Sequence, residues 1–328
     1  MSSEPLYPLR FKPILRRLIW GGRRLGTVLN KPIGNESDYA ESWEVSDYRD
    51  QMSLVKNGNL ADTTIRDLVQ SRANELLGNA LGPRHQFPLL VKFIDAHQVL
   101  SVQVHPDDAK GRLLANDNGK TETWVILDTE PGSLIYAGLK HGVSRDELAA
   151  AIQAGSVERL LHAFEPSAGD SILIEAGTVH AIGAGVLLAE IQQMSDATFR
   201  IDDWGRVGPD GKPRQLHIRE SLESIDFDRG PIDPIKPETR ALAGGGTLER
   251  LAQSSYFALN RLRFSNPTLV GEEARFTILM GLTGTSDIEY RGERTRLDFG
   301  QTLLLPAAIG RCEISPRGEA TVLTCVVP

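Results

Sequence analysis

Cysteine is almost absent from this chain: two in 328 residues, Cys312 and Cys325. Two thiols near the C-terminus are too few for a disulfide framework, and their spacing matches no zinc motif. They read as free, buried thiols in a reducing compartment. A basic surface is lacking too. Lys and Arg number 36 against 43 Asp and Glu, a net charge of −7, and no basic tract stands out. That argues against a general nucleic-acid binder, and an acidic or phosphorylated ligand would need a local cluster of Lys and Arg. No apolar run approaches a membrane span, and the opening "MSSEPLYPLRFKPILRRLIWGG" has no apolar h-region, so the expectation is a soluble, cytoplasmic protein with no membrane partner. A dinucleotide fingerprint is missing as well. "GAGVLL" (183–188) has its first two glycines without the third, and it follows a His turn.

What is present is ordinary globular material, 41% hydrophobic and 24% charged, long enough for two domains or lobes. Strand-like segments dominate: "LLVKFIDA" (89–96), "LSVQVH" (100–105), "TWVILD" (123–128), "SLIYAG" (133–138), "SILIEAG" (171–177) and "GVLLAEIQQ" (185–193). Helices are predicted over 63–78, ending on Gly78, and over 144–164, where Ser144 and Glu147 form a capping box. A polar loop over 207–216 leads to a short helix over 217–225. The segment 228–240, with Pro231, Pro234 and Pro237, reads as a semi-rigid connector between lobes. Strands then resume to the end. Many short strands at regular spacing suggest barrels or double-sheet jelly rolls. "GDSILIEAGTVH" (169–180) is echoed weakly by "GQTLLLPAAIGR" (300–311), with Arg311 where the first copy has His180. The C-terminal lobe therefore looks structural, and only the first keeps a possible metal ligand.

One stretch carries chemistry in an unexpected place. In "LSVQVH", Leu100, Val102 and Val104 fall on one strand face and Ser101, Gln103 and His105 on the other. Gln103 and His105, two residues apart, can hold one ion in common. Glu122 in "NGKTETW" and His180 in "EAGTVHAIG" would complete a mixed nitrogen–oxygen set suited to zinc, with iron or manganese left open by ligand type. The alternative for each histidine is a core residue whose ring finds hydrogen bonds, and the irregular spacing from Gln103 to His180 is no motif by arithmetic. The other histidines, His85, His97, His141, His162 and His217, lie in polar turns or helices and read as surface or local packing residues.

"LLVKFIDAHQVLSVQVHPDD", "NGKTETW" and "GTVHAIGAGVLLAEIQQMSDATFR" closely resemble the type I mannose-6-phosphate isomerases, zinc enzymes of the cupin superfamily. "YPLRFKPILRRLIWGG" and "ESWEVS" resemble the short bacterial form. The resemblance runs from about residue 7 to about 227, and more loosely beyond. It implies a mainly β fold of two cupin-like jelly-roll lobes with a few helices. The catalytic zinc domain would span 1–227, the connector 228–240 and a degenerate cupin-like domain 241–328, with metal in the first lobe only. Carried over by position, the zinc ligands fall on Gln103, His105, Glu122 and His180, one Zn2+ per chain, and the active-site residues on Lys92, Lys120, Glu190 and Arg200. Apart from the resemblance, Lys92 reads as a snorkelling strand residue, and Lys120 and Arg200 as ordinary surface ion pairs. The implied reaction interconverts mannose 6-phosphate and fructose 6-phosphate through a cis-enediolate, with Glu190, Lys120 or a zinc-bound water moving the proton. Rival expectations are an iron oxygenase, a sugar-binding cupin without turnover, and an isomerase of another sugar. One departure stands out: Glu175 replaces the Pro usual before the last His, as a rim residue or a partner of that His.

Overall fold

The computed structural model describes residues 4–79, 85–208 and 211–328. Positions 209 and 210 of the predicted 207–216 loop lie outside them. The chain is mainly β, and none of the described helices is long and apolar enough to cross a membrane.

In the N-terminal half, a six-stranded sheet runs in the order Ile14–Gly22, Tyr39–Val45, Leu89–Ala96, Val186–Gln193, Glu122–Thr129, Ser171–Ile174. A five-stranded sheet runs Phe199–Asp202, Val102–Val104, His180–Ile182, Ile135–Leu139, Leu161–Phe164. Alternation along each strand divides its side chains between two environments. Ile94, Trp124, Ile126, Ile172 and Leu188 of the larger sheet meet Ile135, Ala137 and Ile182 of the smaller one in an apolar layer between the sheets. The opposite face of the larger sheet, with Val91, Phe93, Val125 and Ile191, joins a cluster that reaches the C-terminal half through Leu259, Ile278, Met280 and Leu323. Val102 and Val104 pack with Leu148 and Ala151 of the helix Arg145–Gln153. Their neighbours Gln103 and His105 are thereby turned toward the space between the sheets.

The C-terminal half repeats this plan. Its six-stranded sheet runs Glu238–Ala241, Thr247–Gln253, Ala258–Phe264, Ala320–Val326, Thr277–Thr283, Thr302–Leu305, and its four-stranded sheet Thr268–Val270, Cys312–Pro316, Thr285–Tyr290, Glu293–Asp298. The last eight strands of this half take the places, in chain order, of the eight from Leu89–Ala96 to Val186–Gln193. Registers agree too. Glu190 lies opposite Lys92 and Trp124, and Thr324 opposite Asn260 and Leu279. The echoed segments do take matching places at the ends of the two larger sheets, but the echo is off by one residue. His180 opens its strand facing Gln103, and the residue in the corresponding place is Cys312, facing Val270, while Arg311 is exposed. A one-turn 3-10 helix, Ala307–Ile309, takes up the extra residue.

Two further expectations need adjustment. The predicted helix over 144–164 stops at Gln153. Gly155 has a left-handed φ of 62°, a short 3-10 turn follows, and Leu161–Phe164 becomes an edge strand paired with Ile135–Leu139. Ser144 does cap the helix, accepting from Glu147 N. The helix predicted over 63–78 covers Ile65–Leu76, with Thr64 accepting from Asp67 N and a kink at Arg72. Both cysteines are free and buried, as expected. The N-terminal segment crosses to the other half, where Leu9 exchanges backbone hydrogen bonds of 2.8 and 2.9 Å with Leu304.

Candidate metal centre and the charged cavity beside it

His105, Glu122 and His180 arrive from three separate strand ends and meet in the interior, each no more than 1% exposed. Their ligand atoms lie within 4.8 Å of one another. His105 Nε2 is 3.4 Å from Glu122 Oε2, and His180 Nε2 is 3.5 Å from Glu122 Oε1. Each imidazole is held from behind. His105 Nδ1 donates to the Ala197 carbonyl at 2.8 Å, and His180 Nδ1 donates to the Thr178 carbonyl at 2.9 Å. A carbonyl only accepts, so each ring carries its proton on Nδ1 and turns an Nε2 lone pair to the centre. Gln103 pairs with His180 across the smaller sheet, and its side-chain amide lies beside that ring, with Gln103 Nε2 3.2 Å from His180 Nε2.

Electrostatics favour the ligating forms. Burial, then the charge of Lys120, pushes His105 down to about 3, and burial lowers His180 as well. Burial works against ionisation of Glu122, but the charge of Lys120 favours it, and the carboxyl is held well below its ordinary value. Neutral imidazoles and an ionised carboxylate are the states that bind a cation. Buried His105 Nε2 lacks a hydrogen-bond partner. Such an orphan is costly unless something else meets it, and a metal ion is what two imidazoles and a carboxylate would accept. The donor set fits the group.

The four remaining candidate residues are brought to the same place. Lys120 Nζ lies 3.0 Å from Glu122 Oε2, and Lys92 Nζ lies 2.8 Å from Glu190 Oε2. Lys92, Lys120 and Glu190 are all buried, so the readings of Lys92 as a snorkelling residue and Lys120 as a surface ion pair fail. Burial would discharge Lys92, but Glu190, Glu41 and Asp196 hold it above its ordinary value. Burial and the charge of Glu122 push Glu190 up. Arg200 makes no ion pair among the described residues. One guanidinium nitrogen donates to the Gln215 carbonyl at 2.8 Å, and its buried Nε has no partner. A cavity of about 260 Å³ is lined by Lys92, Gln103, Lys120, Glu122, Glu190 and Arg200.

Other residues in or behind this cavity do not stand out in the sequence. Trp124 donates Nε1–H to Glu190 Oε1 at 3.0 Å and sets its ring edge against His180, 5.5 Å between centroids. Its place two residues after Glu122 on one strand face is a usable signal. Arg214, Asp196 and Glu41 also line the cavity. Arg214 sits in a loop that periodicity describes only as polar. Glu175 is half-exposed, pairs with Arg229 and is not bonded to the ring nitrogens of either histidine, so it is no partner of His180. His85, His97 and His141 are exposed, His162 pairs with Asp233 at 2.8 Å, and His217 accepts from Arg200 N at 3.2 Å.

Fold and site together define a mainly β protein with a buried, metal-competent His–Glu–His cluster opening on a cavity rich in paired charges. The family model for the type I phosphomannose isomerase catalytic domain matches residues 9–129. The mannose-6-phosphate isomerase of Streptococcus mutans is 33% identical over 307 residues, 94% of each chain. A mannose-6-phosphate isomerase of Bacillus subtilis is 31% identical over 331 residues, covering 98% of this chain and 99% of that one. Among solved structures, the mannose 6-phosphate isomerase from Bacillus subtilis superposes with a TM-score of 0.89 at 28% identity, over 98% of this chain and 99% of that chain. The chain belongs to the type I phosphomannose isomerase family.

Proposed function

We propose that this chain interconverts mannose 6-phosphate and fructose 6-phosphate through a cis-enediolate, using one Zn2+ held by Gln103 through its amide oxygen, His105, Glu122 and His180. The observation that carries the reading is the convergence of two Nε2 lone pairs and one carboxylate on a buried point beside Lys92, Lys120, Glu190 and Arg200. Family membership supports the reaction class. The ion, when bound, supplies Lewis acidity toward the oxygens on C1 and C2 of the sugar.

The chain's own groups do the rest. In the aldose-to-ketose direction Glu190 takes the proton from C2, leaving the electron pair in the enediolate, and returns it to C1 while the hydroxyl proton on O2 passes to O1. Lys92 and the Trp124 indole hold that carboxylate in place, one on each oxygen. Lys120 faces the negative charge that builds on the sugar oxygens and offsets it at a buried position. Arg200, with no ion pair among the described residues, and Arg214, paired with Asp203, line the same cavity and are the groups assigned to the phosphate.

In this reading the two halves are cupin-like jelly-roll lobes, a catalytic one over 1–227 and a C-terminal one over 241–328, joined by the connector 228–240, whose last three residues already belong to the first strand of the C-terminal sheet. Only the first carries metal. A cytoplasmic location goes with it, since free buried thiols suit a reducing compartment. The test is fructose 6-phosphate formation by metal-stripped protein titrated with Zn2+. Activity should vanish on stripping and return near one zinc per chain. No activity at any zinc level overturns the substrate assignment and favours another sugar or a binder without turnover.

A further inference from the structure

Lys120 is held by an unusual amount of backbone scaffolding. Three successive N–H groups around it are each tied down: Gly119 N to Asp108 Oδ1 at 2.9 Å, Lys120 N to the Pro106 carbonyl at 2.9 Å, and Thr121 N to Gln193 Oε1 at 2.8 Å. The side chains that accept two of these bonds are linked, since Gln193 Nε2 donates to Asp108 Oδ1 at 3.0 Å. Close packing adds to the restraint, because a Cβ at Gly119 would lie 2.5 Å from Asp108 N. The far oxygen of the same carboxylate, Asp108 Oδ2, accepts from Tyr256 OH at 2.8 Å.

Tyr256 is the one member of this network from the C-terminal half, 148 residues along the chain from Asp108. It is presented rigidly. Ser254 Oγ accepts from both Tyr256 N and Phe257 N at 3.1 Å, and Phe257 is fully buried in the core shared by the two halves. A carboxylate with three donors is fixed in two directions, which a carboxylate with two is not.

We propose that Tyr256 is a positioning residue for the isomerase reaction: through Asp108 and Gln193 it sets the backbone that aims Lys120 at the substrate. The C-terminal half, which holds none of the proposed metal ligands, thus contributes to the geometry of the reacting centre. The proposal rests on the role given to Lys120 above. Small displacements of a charge-stabilising group cost rate more than affinity, because they act on the transition state.

The experiment is a double-mutant cycle on the zinc-loaded, full-length protein with mannose 6-phosphate, comparing wild type, Tyr256→Phe, Lys120→Met and the double variant, with thermal midpoint and zinc content measured for each. Tyr256→Phe should lower kcat about tenfold with KM changed less than about twofold. In the Lys120→Met background the same change should have no further effect on kcat, while shifting the thermal midpoint as before. Asp108→Asn should reproduce the coupling to Lys120. An equal loss of kcat from Tyr256→Phe in both backgrounds would mark a merely structural bond and overturn the proposal. So would unchanged kcat in Tyr256→Phe when Lys120→Met is impaired. Normal turnover by Lys120→Met would instead sink the role of Lys120 itself, and this inference with it.

Discussion

The two halves of the molecule are built on one plan and filled differently. In the N-terminal half the strand pair around residue 190 places Glu190 against Lys92 and Trp124. In the C-terminal half the same positions hold Thr324, Asn260 and Leu279. Glu122 opens its strand opposite Ile174, and its counterpart Thr277 opens opposite Leu305. His180 and Gln103 correspond to Cys312 and Val270, which lie in an apolar cluster with Leu279, Ile288 and Leu303. A strand framework tolerates either filling because backbone hydrogen bonds hold it regardless of which side chains face inward. The N-terminal half sets a group of charged and polar side chains beside its apolar layer; the C-terminal half holds uncharged residues at the matching places.

The largest expected effect breaks the comparison at its sharpest point. His180→Ala should remove the metal and lower kcat by about a thousandfold or more, whereas Cys312→Ala at the matching place should leave metal content and kcat within about twofold. Metal analysis beside turnover reads both, and a Cys312 variant that loses metal would end the assignment of the site to one half. Glu190→Gln comes next: kcat should fall about 10²- to 10⁴-fold with zinc retained, and near-normal turnover would exclude Glu190 as the base. Its counterpart Thr324→Val should not alter kcat.

A third substitution reverses the direction. Leu279→Ala hollows the C-terminal interior and should cost about 2–5 kcal/mol of stability by denaturant titration, with kcat per folded molecule unchanged. Trp124→Phe at the equivalent position should instead lower kcat several-fold through the lost bond to Glu190. The smallest effect belongs to Thr277. Its hydroxyl is buried with no partner, so Thr277→Val should leave stability unchanged or raise it by up to about 1 kcal/mol. A clear loss would show that the hydroxyl is satisfied after all.

Much of this is legible along the chain. Short runs rich in branched residues, set off by turn chemistry, locate four of the six strands of the larger sheet, and the misplaced polar face of "LSVQVH" is enough by itself to direct attention to the interior. The helix expected over 144–164 runs too far because "VERLLHAF" has apolar residues that suit either a helix or a strand, and only pairing with Ile135–Leu139 decides between them. The one-residue slip in the internal echo has a similar origin. A gapless match cannot see a 3-10 turn that absorbs one residue, and pairing with Val270 makes Cys312 rather than Arg311 the counterpart of His180.

By itself the sequence determined what is local or patterned: a mainly β chain, where its turns and helix caps fall, the free thiols, and, by resemblance, the residues to watch. Only the tertiary structure decided how those residues meet. Whether Lys92 snorkels or lies buried on Glu190, which nitrogen of each histidine is free, and that Tyr256 reaches Asp108 from the other half all depend on contacts between segments far apart in the chain. No local pattern carries that information, because strand pairing and sheet packing, not propensity, set the distances between them.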